Sequence, residues 1–212
     1  MLSRDKVISA RSSHLQPIRL FRNAWLERLT VVSPLAFGVI WGMFLPFLVW
    51  MGWGTVSVAT AFSLVVAGLW LWTLFEYAMH RFLFHLRLKW KPLQAFTFIM
   101  HGNHHASPND RLRNMMPPIV SVPIAAAVWY ACVSMVGPGG DWLFLGFISG
   151  YVVYDFTHFA CHQWPMRGRM ARAIKQHHMR HHHISEHGNY AITTPLWDRL
   201  FGTAITSTKP GT

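Results

Sequence analysis

The sequence predicts an all-α integral membrane protein in which four apolar segments pair into two helical hairpins. Three observations predict it. Apolar residues make up 52% of the 212 residues and charged ones only 13%, roughly half the charged share of soluble domains. The apolar residues gather into uncharged runs of near-membrane length, and the basic residues avoid the two shortest connections between those runs.

The elements follow in order. Residues 1–30 carry Arg4, Lys6, Arg11, Arg19, Arg22 and Arg28 and no long apolar run, which fits a cytoplasmic tail and not a cleaved signal peptide. Within it, Leu15 to Leu29 mixes Leu20, Phe21, Trp25, Leu26 and Leu29 with Arg19, Arg22 and Arg28, the pattern of an interfacial segment. Val31 to Met51, Thr55 to Phe75 and Pro117 to Val136 are uncharged, each close to the roughly 20 residues that cross a hydrocarbon core. A fourth run, Trp142 to Tyr154, has 13 uncharged residues, about 20 Å of helix. A span over about residues 141–161 therefore requires Asp155 and His158 to be tolerated near one end. Gly52-Trp53-Gly54 and Gly137-Pro138-Gly139-Gly140 are tight hairpin connections, and the polar stretch Arg81 to Asn114 separates the two hairpins. Residues 31–212 read as one membrane domain without internal repeats.

Nineteen Lys and Arg against eight Asp and Glu give a net charge of +11. Six basic residues precede Val31, six lie between Arg81 and Arg113, and seven follow Gln163. An even number of spans puts those regions on one face, which the positive-inside tendency makes cytoplasmic. The charge is thus topological. Nucleic acid is excluded as a partner, because its recognition needs basic residues interleaved with exposed aromatics, and the aromatics here sit in the apolar runs. Cys132 and Cys161 are too few for a disulfide framework and lack CxxC spacing; they read as packing residues.

Of 14 histidines, 13 lie between His80 and His187. They form four clusters: His80 with His85; His101, His104 and His105; His158 with His162; and His177 to His183. Positions i, i+3 and i+4 share a helix face, so His101, His104 and His105 should project together, as should His178, His181 and His182, and His158 with His162. His80 and His85 are five residues apart, about 140° around an ideal helix, so that helix must bulge or end between them. One histidine beside a membrane helix is ordinarily an interfacial hydrogen-bonding residue. Four clusters on one membrane face point instead to chelation. Ten imidazoles exceed a structural zinc site and suit two ions of about five ligands each. Imidazole alone does not choose among Zn, Fe, Cu and Ni. A zinc hydrolase usually supplies a Glu base, and no HExxH occurs. Two redox-active irons at a bilayer surface could reduce dioxygen, which points to oxidation of a lipid C–H bond. Glu76 precedes His80 by four residues and Asp155 precedes His158 by three, so each could accept the free N–H of a ligating imidazole.

These residues resemble the fatty acid hydroxylase and sterol desaturase superfamily, closest to its fatty acid 2-hydroxylase branch. The landmarks are Glu76-Tyr-Ala-Met-His80-Arg-Phe-Leu-Phe-His85, His101-Gly-Asn-His104-His105-Ala-Ser-Pro108, Gly150-Tyr-Val-Val-Tyr154-Asp155-Phe-Thr-His158, His178-Met-Arg-His181-His182 and Trp197-Asp-Arg-Leu-Phe-Gly-Thr203. The resemblance covers roughly Leu20 to Thr203. It implies metal ligands at His80, His85, His101, His104, His105, His158, His162, His178, His181 and His182, and leaves His177, His183 and His187 outside. It implies a di-iron membrane oxygenase, with zinc a possible occupant in purified protein, that has four transmembrane helices and a cytoplasmic helical cap. The reaction expected is hydroxylation of C2 of a long acyl chain, free or in a sphingolipid, with dioxygen and two external electrons. Asp155 would orient His158 or a neighbour, Tyr154 would position substrate or oxygen, and Trp197 to Thr203 would pack the cap.

Eukaryotic members of this branch often carry a fused cytochrome b5 domain, which thirty residues before the first span cannot hold. The expected electron donor is a separate acidic carrier, a cytochrome b5 or ferredoxin, docking on the basic face. The expected setting is the bacterial inner membrane or endoplasmic reticulum. Competing readings are oxidation of a carotenoid, sterol or ornithine-lipid acyl chain, a desaturase, a histidine-rich metal transporter and a lipid-binding scaffold. A transporter would place ligands inside the bilayer or on both faces.

Overall fold

The computed structural model of the chain describes residues 18–86 and 89–206. Leu15, at the head of the expected interfacial segment, and Arg4, Lys6, Arg11, Arg87 and Lys209 lie outside them. The described part of that segment forms α1 (Ala24–Leu29), capped by the Asn23 side chain on the amides of Trp25 and Leu26. It leaves Trp25 and Leu29 exposed. Glu27 ties it down by accepting the Leu20 and Phe21 amides and pairing with Arg113.

Each expected apolar segment is carried by a helix; Trp142 to Tyr154 lies wholly inside one, and the other three segments begin one to three residues before theirs. α2 (Pro34–Gly52) starts at a Ser33 cap with Pro34 in its first turn, where the missing amide hydrogen is harmless. α3 (Val58–Ala78) starts at a Ser57 cap and runs on as a π-helical stretch, Met79–Phe84. A polar arm follows: α4 (Lys91–Thr97), a second π-helical stretch at Phe98–Gly102, and α5 (Asn103–Ala106). Then come α6 (Pro118–Val136), a 3-10 turn at Gly137–Gly139, and α7 (Gly140–Gln163). α8 (Arg169–His183) and α9 (Leu196–Leu200) complete the chain. The fold is all-helical, and the described residues contain no strand.

Among the described residues, three continuous helical stretches are long and apolar enough to cross a membrane: Pro34–Gly52, Val58–Phe84 and Pro118–Gln163. The third has 46 residues, about 70 Å if straight, against a hydrocarbon core of about 30 Å. It reverses at Gly137, whose φ of +68° suits glycine. Trp129 donates to Asp141 at 2.8 Å and the Met116 amide to Asp155 at 2.9 Å, so α6 and α7 run antiparallel. α7 is also longer than its uncharged run, since Asp155 and His158 continue the same helix.

Inside a bilayer, close packing and not water exclusion holds helices together. A Cβ on Gly146 would lie 2.0 Å from the Val65 carbonyl oxygen, and one on Gly68 would lie 2.1 Å from that of Leu143. Only glycines permit this backbone approach of α3 and α7. Around the crossing, Trp41, Trp72, Phe147 and Tyr151 pack edge to face at ring separations of 5.2–5.4 Å. The outward surfaces are apolar and exposed, including Leu35, Met43, Phe62, Tyr130 and Val153. That surface suits lipid, so the chain is an integral membrane protein. Both tight connections lie at one end of the bundle. The polar arm, α8 and α9 lie at the other.

Candidate metal centre

The ten expected histidines meet at the polar end in two groups of five. His80, His85, His101, His105 and His181 form the first group; His104, His158, His162, His178 and His182 form the second. Within each group one ring nitrogen per residue lies within 4.8 Å of all the others. The bulge that the His80 to His85 spacing demands is the π-helical stretch Met79–Phe84, whose wider turn brings these two rings to 5.0 Å between centroids.

The HxxHH motifs are arranged differently from the expectation. Neither presents one chelating face. His101 and His105 share a group, as do His178 and His182, whereas His104 and His181 each cross to the other group. Residues four apart differ by about 40° around a helix and residues three apart by about 60° the opposite way. A helix wedged between two sites therefore sends its i, i+4 pair to one and the intervening residue to the other. His158 and His162, also i, i+4, stay together. His177 lies outside both groups and donates to Asp198 at 3.0 Å; His183 and His187 are exposed.

Three imidazoles have their tautomer fixed by backbone carbonyls, which can only accept. His80 Nδ1–H donates to Tyr190 O at 2.5 Å, His181 Nδ1–H to Gly188 O at 2.7 Å and His158 Nδ1–H to Asn114 O at 2.9 Å. Their Nε2 lone pairs consequently face inward, where Nε2 atoms of neighbouring rings approach to 2.8–3.2 Å. Burial first, and then the neighbouring imidazoles, push His101, His104, His178, His181 and His182 down from the usual histidine range. The same causes bring His105 down to about 3. Neutral rings with converging lone pairs are the donor set that a divalent transition metal needs. The residues thus fit two ions of imidazole ligation.

Two sequence expectations are corrected. Neither Glu76 nor Asp155 accepts an imidazole N–H. Glu76 is buried and accepts the Ile192 amide at 2.5 Å, the Thr193 amide at 3.0 Å and the Thr193 hydroxyl at 2.5 Å. Asp155 accepts the Met116 amide at 2.9 Å and the Tyr151 hydroxyl at 3.0 Å. Both carboxylates hold loop backbone, and the loops hold the histidines. The Trp197 to Thr203 stretch also does more than pack: Asp198, fully buried, accepts the amides of Tyr190 and Ala191. Its burial alone would raise the carboxyl, but hydrogen bonds from His177, Thr203, Ala191 and Tyr190 outweigh this and hold it below its usual range. The sequence signal for this loop was the turn pair Gly188-Asn189, both at positive φ.

The fatty acid hydroxylase family model matches residues 65–203. The chain belongs to the fatty acid hydroxylase family. It is 32% identical to the fatty acid 2-hydroxylase of Homo sapiens over 92% of its own length and 58% of that protein. It is 34% identical to the dihydroceramide fatty acyl 2-hydroxylase of Arabidopsis thaliana over 91% of its length and 82% of that protein. It thus spans little more than half of the mammalian relatives. The solved structure of full-length scs7p, in which only the hydroxylase domain is visible, superposes with a TM-score of 0.81 at 31% identity, covering 91% of this chain and 74% of that one.

In this member of the hydroxylase family the histidine groups adjoin an apolar interior. A cavity of about 50 Å³ between α3, α6 and α7 is lined by Trp72, Phe75, Met79, Ile124, Phe147 and Tyr154. A smaller polar cavity of about 20 Å³ reaches His101, His104 and His158, and Met100, Met116 and Tyr154 line both. On the bilayer side, Ala125 lines both the inner cavity and an open groove of about 800 Å³ between α2, α6 and α7. The Tyr154 ring lies parallel to His158, 6.1 Å away.

Proposed function

We propose that the chain hydroxylates C2 of a long acyl chain, as a free fatty acid or as the acyl group of a ceramide, using dioxygen and two external electrons. The observation that carries this reading is the placement of two five-histidine groups against an apolar cavity at the end of a membrane bundle. The hydroxylase names of its relatives support the substrate class. We assign the ten histidines as ligands of two ions and take the metal to be iron, which when bound supplies the reduction of dioxygen that leaves one oxygen atom for the acyl chain and one for water.

The chain's own residues do the rest. His80, His158 and His181 present fixed Nε2 lone pairs. The lipid-facing groove and inner cavity admit the apolar chain and exclude water, and Tyr154, at the junction of the two inner cavities, positions the carbon to be oxidised. Asp155 acts on the site through the backbone it holds. The cluster of basic residues at the histidine end favours a cytoplasmic location for the site, in a bacterial inner membrane or endoplasmic reticulum. α8 adds Arg169, Arg172, Lys175 and Arg180 with no acidic residue, a surface suited to an acidic electron carrier of cytochrome b5 or ferredoxin type.

Lipid mass spectrometry of cells expressing the wild type or His104→Ala tests the reading. The wild type alone should add one oxygen at C2 of acyl chains. An unchanged lipid profile despite full iron loading and a competent reductant would reject it.

A further inference from the structure

The three carbonyls that orient imidazoles belong to two separate loops, and each loop serves one histidine group. Gly188 and Tyr190 orient His181 and His80, both of the first group; Asn114 orients His158 of the second. Each loop is in turn held by its own buried carboxylates. Glu76, from the membrane helix α3, holds the 188–193 loop at Ile192 and Thr193, and Asp198 holds it at Tyr190 and Ala191. Asp155 holds the other loop at Met116.

The Asp198 contact is the more direct. The peptide group whose N–H, on Ala191, donates to Asp198 at 2.9 Å is the same group whose C=O, on Tyr190, accepts from His80. A carboxylate on one side of a peptide polarises it, so the carbonyl on the other side becomes a better acceptor. That strengthens the His80 Nδ1–H bond and makes Nε2 more basic, as a carboxylate bonded directly to a ligating histidine does. Asp198 has no exposed surface and receives four hydrogen bonds, from the Tyr190 and Ala191 amides, His177 and Thr203. Its charge is therefore directed at this loop and not shared with solvent.

We propose that Asp198 and Glu76 are positioning residues for one five-histidine group and Asp155 for the other, so that the two ion positions are built by separate loops and can be lost separately. The inference rests on the two-ion reading above. Glu76 and Met116 also line the apolar cavity, so the test reads ion retention and not turnover.

Elemental analysis of purified, iron-loaded full-length protein after a fixed chelator challenge tests it, with no turnover needed. Wild-type protein should retain two ions per chain; fewer than two would contradict the two-ion reading itself. Asp198→Asn should release one ion about tenfold faster than the other, giving a two-phase loss. The same-loop pair Asp198→Asn with Glu76→Gln should still keep one ion, and that ion doubles as the evidence that the double variant is folded. The cross-loop pair Asp198→Asn with Asp155→Asn should keep none. Uniform acceleration of both ions by Asp198→Asn, loss of both by the same-loop pair, or retention of one by the cross-loop pair would each overturn the assignment.

Discussion

His105 shows what a single residue contributes. Its ring packs against His101, His181 and His182, and burial with neighbouring imidazoles brings it down to about 3, while His101 and His181 shift the same way. Such bases hold fewer protons folded than unfolded at any pH between their depressed values and the ordinary value of about 6.5. Stability then rises with pH across that window. The contribution is complete above about 6.5 and is lost as the pH falls below it, by up to about 1.4 kcal/mol per imidazole for each pH unit. Thermal melts of the chelated protein in detergent should show a flat midpoint above neutrality and a falling one below it; a midpoint constant down to about pH 5 would contradict the burial argument. At this scale the histidines were legible because their side chains advertise chelation. The carbonyls of Asn114, Gly188 and Tyr190 were not, since every residue has one. For Glu76 and Asp155, spacing along a helix points to the nearest imidazole, whereas their partners come from loops 116 residues and 39 residues away.

Among the elements, the α3 and α7 pair sets the bundle. Its two glycine contacts, at Gly68 and Gly146, lie at one crossing. Gly146→Ala should force the helices apart and destabilise by about 1–3 kcal/mol through overpacking. Adding Gly68→Ala should cost much less than its single effect, because the parted helices already make room. Thermal melts of the two singles and the double check this, and strict additivity would refute it. The apolar spans were legible from hydropathy, yet α7 outran its uncharged run because Asp155 points to the Met116 amide and Tyr151 and is satisfied there. The straddling of the HxxHH motifs was hidden for a different reason. Spacing reveals which residues share a helix face, but not that a helix lies between two sites.

For the whole molecule, the charge pattern and the glycine-rich connections point to one end for the polar segments, and the described polar arm, α8 and α9 gather there. The cap at that end buries few large apolar side chains and many imidazoles. Its order should therefore depend on the ions, which bind the folded state and add stability by mass action. Hydrogen exchange by mass spectrometry after chelation should show faster exchange in α5, α8 and the 188–193 loop, with the α3 and α7 crossing still protected. Equal loss of protection throughout would show the cap and bundle to be one cooperative unit. Substrate access also belongs to this scale. Under the proposed function, the inner cavity of about 50 Å³ takes only part of a long acyl chain, which puts the remainder in the lipid-facing groove beside Val122, Ala126 and Trp129. Blocking that groove, as in Ala126→Trp, should raise the apparent KM for long acyl substrates by about tenfold, a loss of roughly 1.4 kcal/mol of binding. An unchanged KM would remove the groove from the path.

The central claim is that the ten-histidine end of this bundle inserts one atom of dioxygen into an acyl C–H bond. Mass spectrometry of lipid products formed by the iron-loaded protein under isotope-labelled dioxygen, with a competent reductant, tests it most directly. One labelled oxygen at C2 of the acyl chain is the predicted result; label absent from the product, or carried at another carbon, would contradict the account.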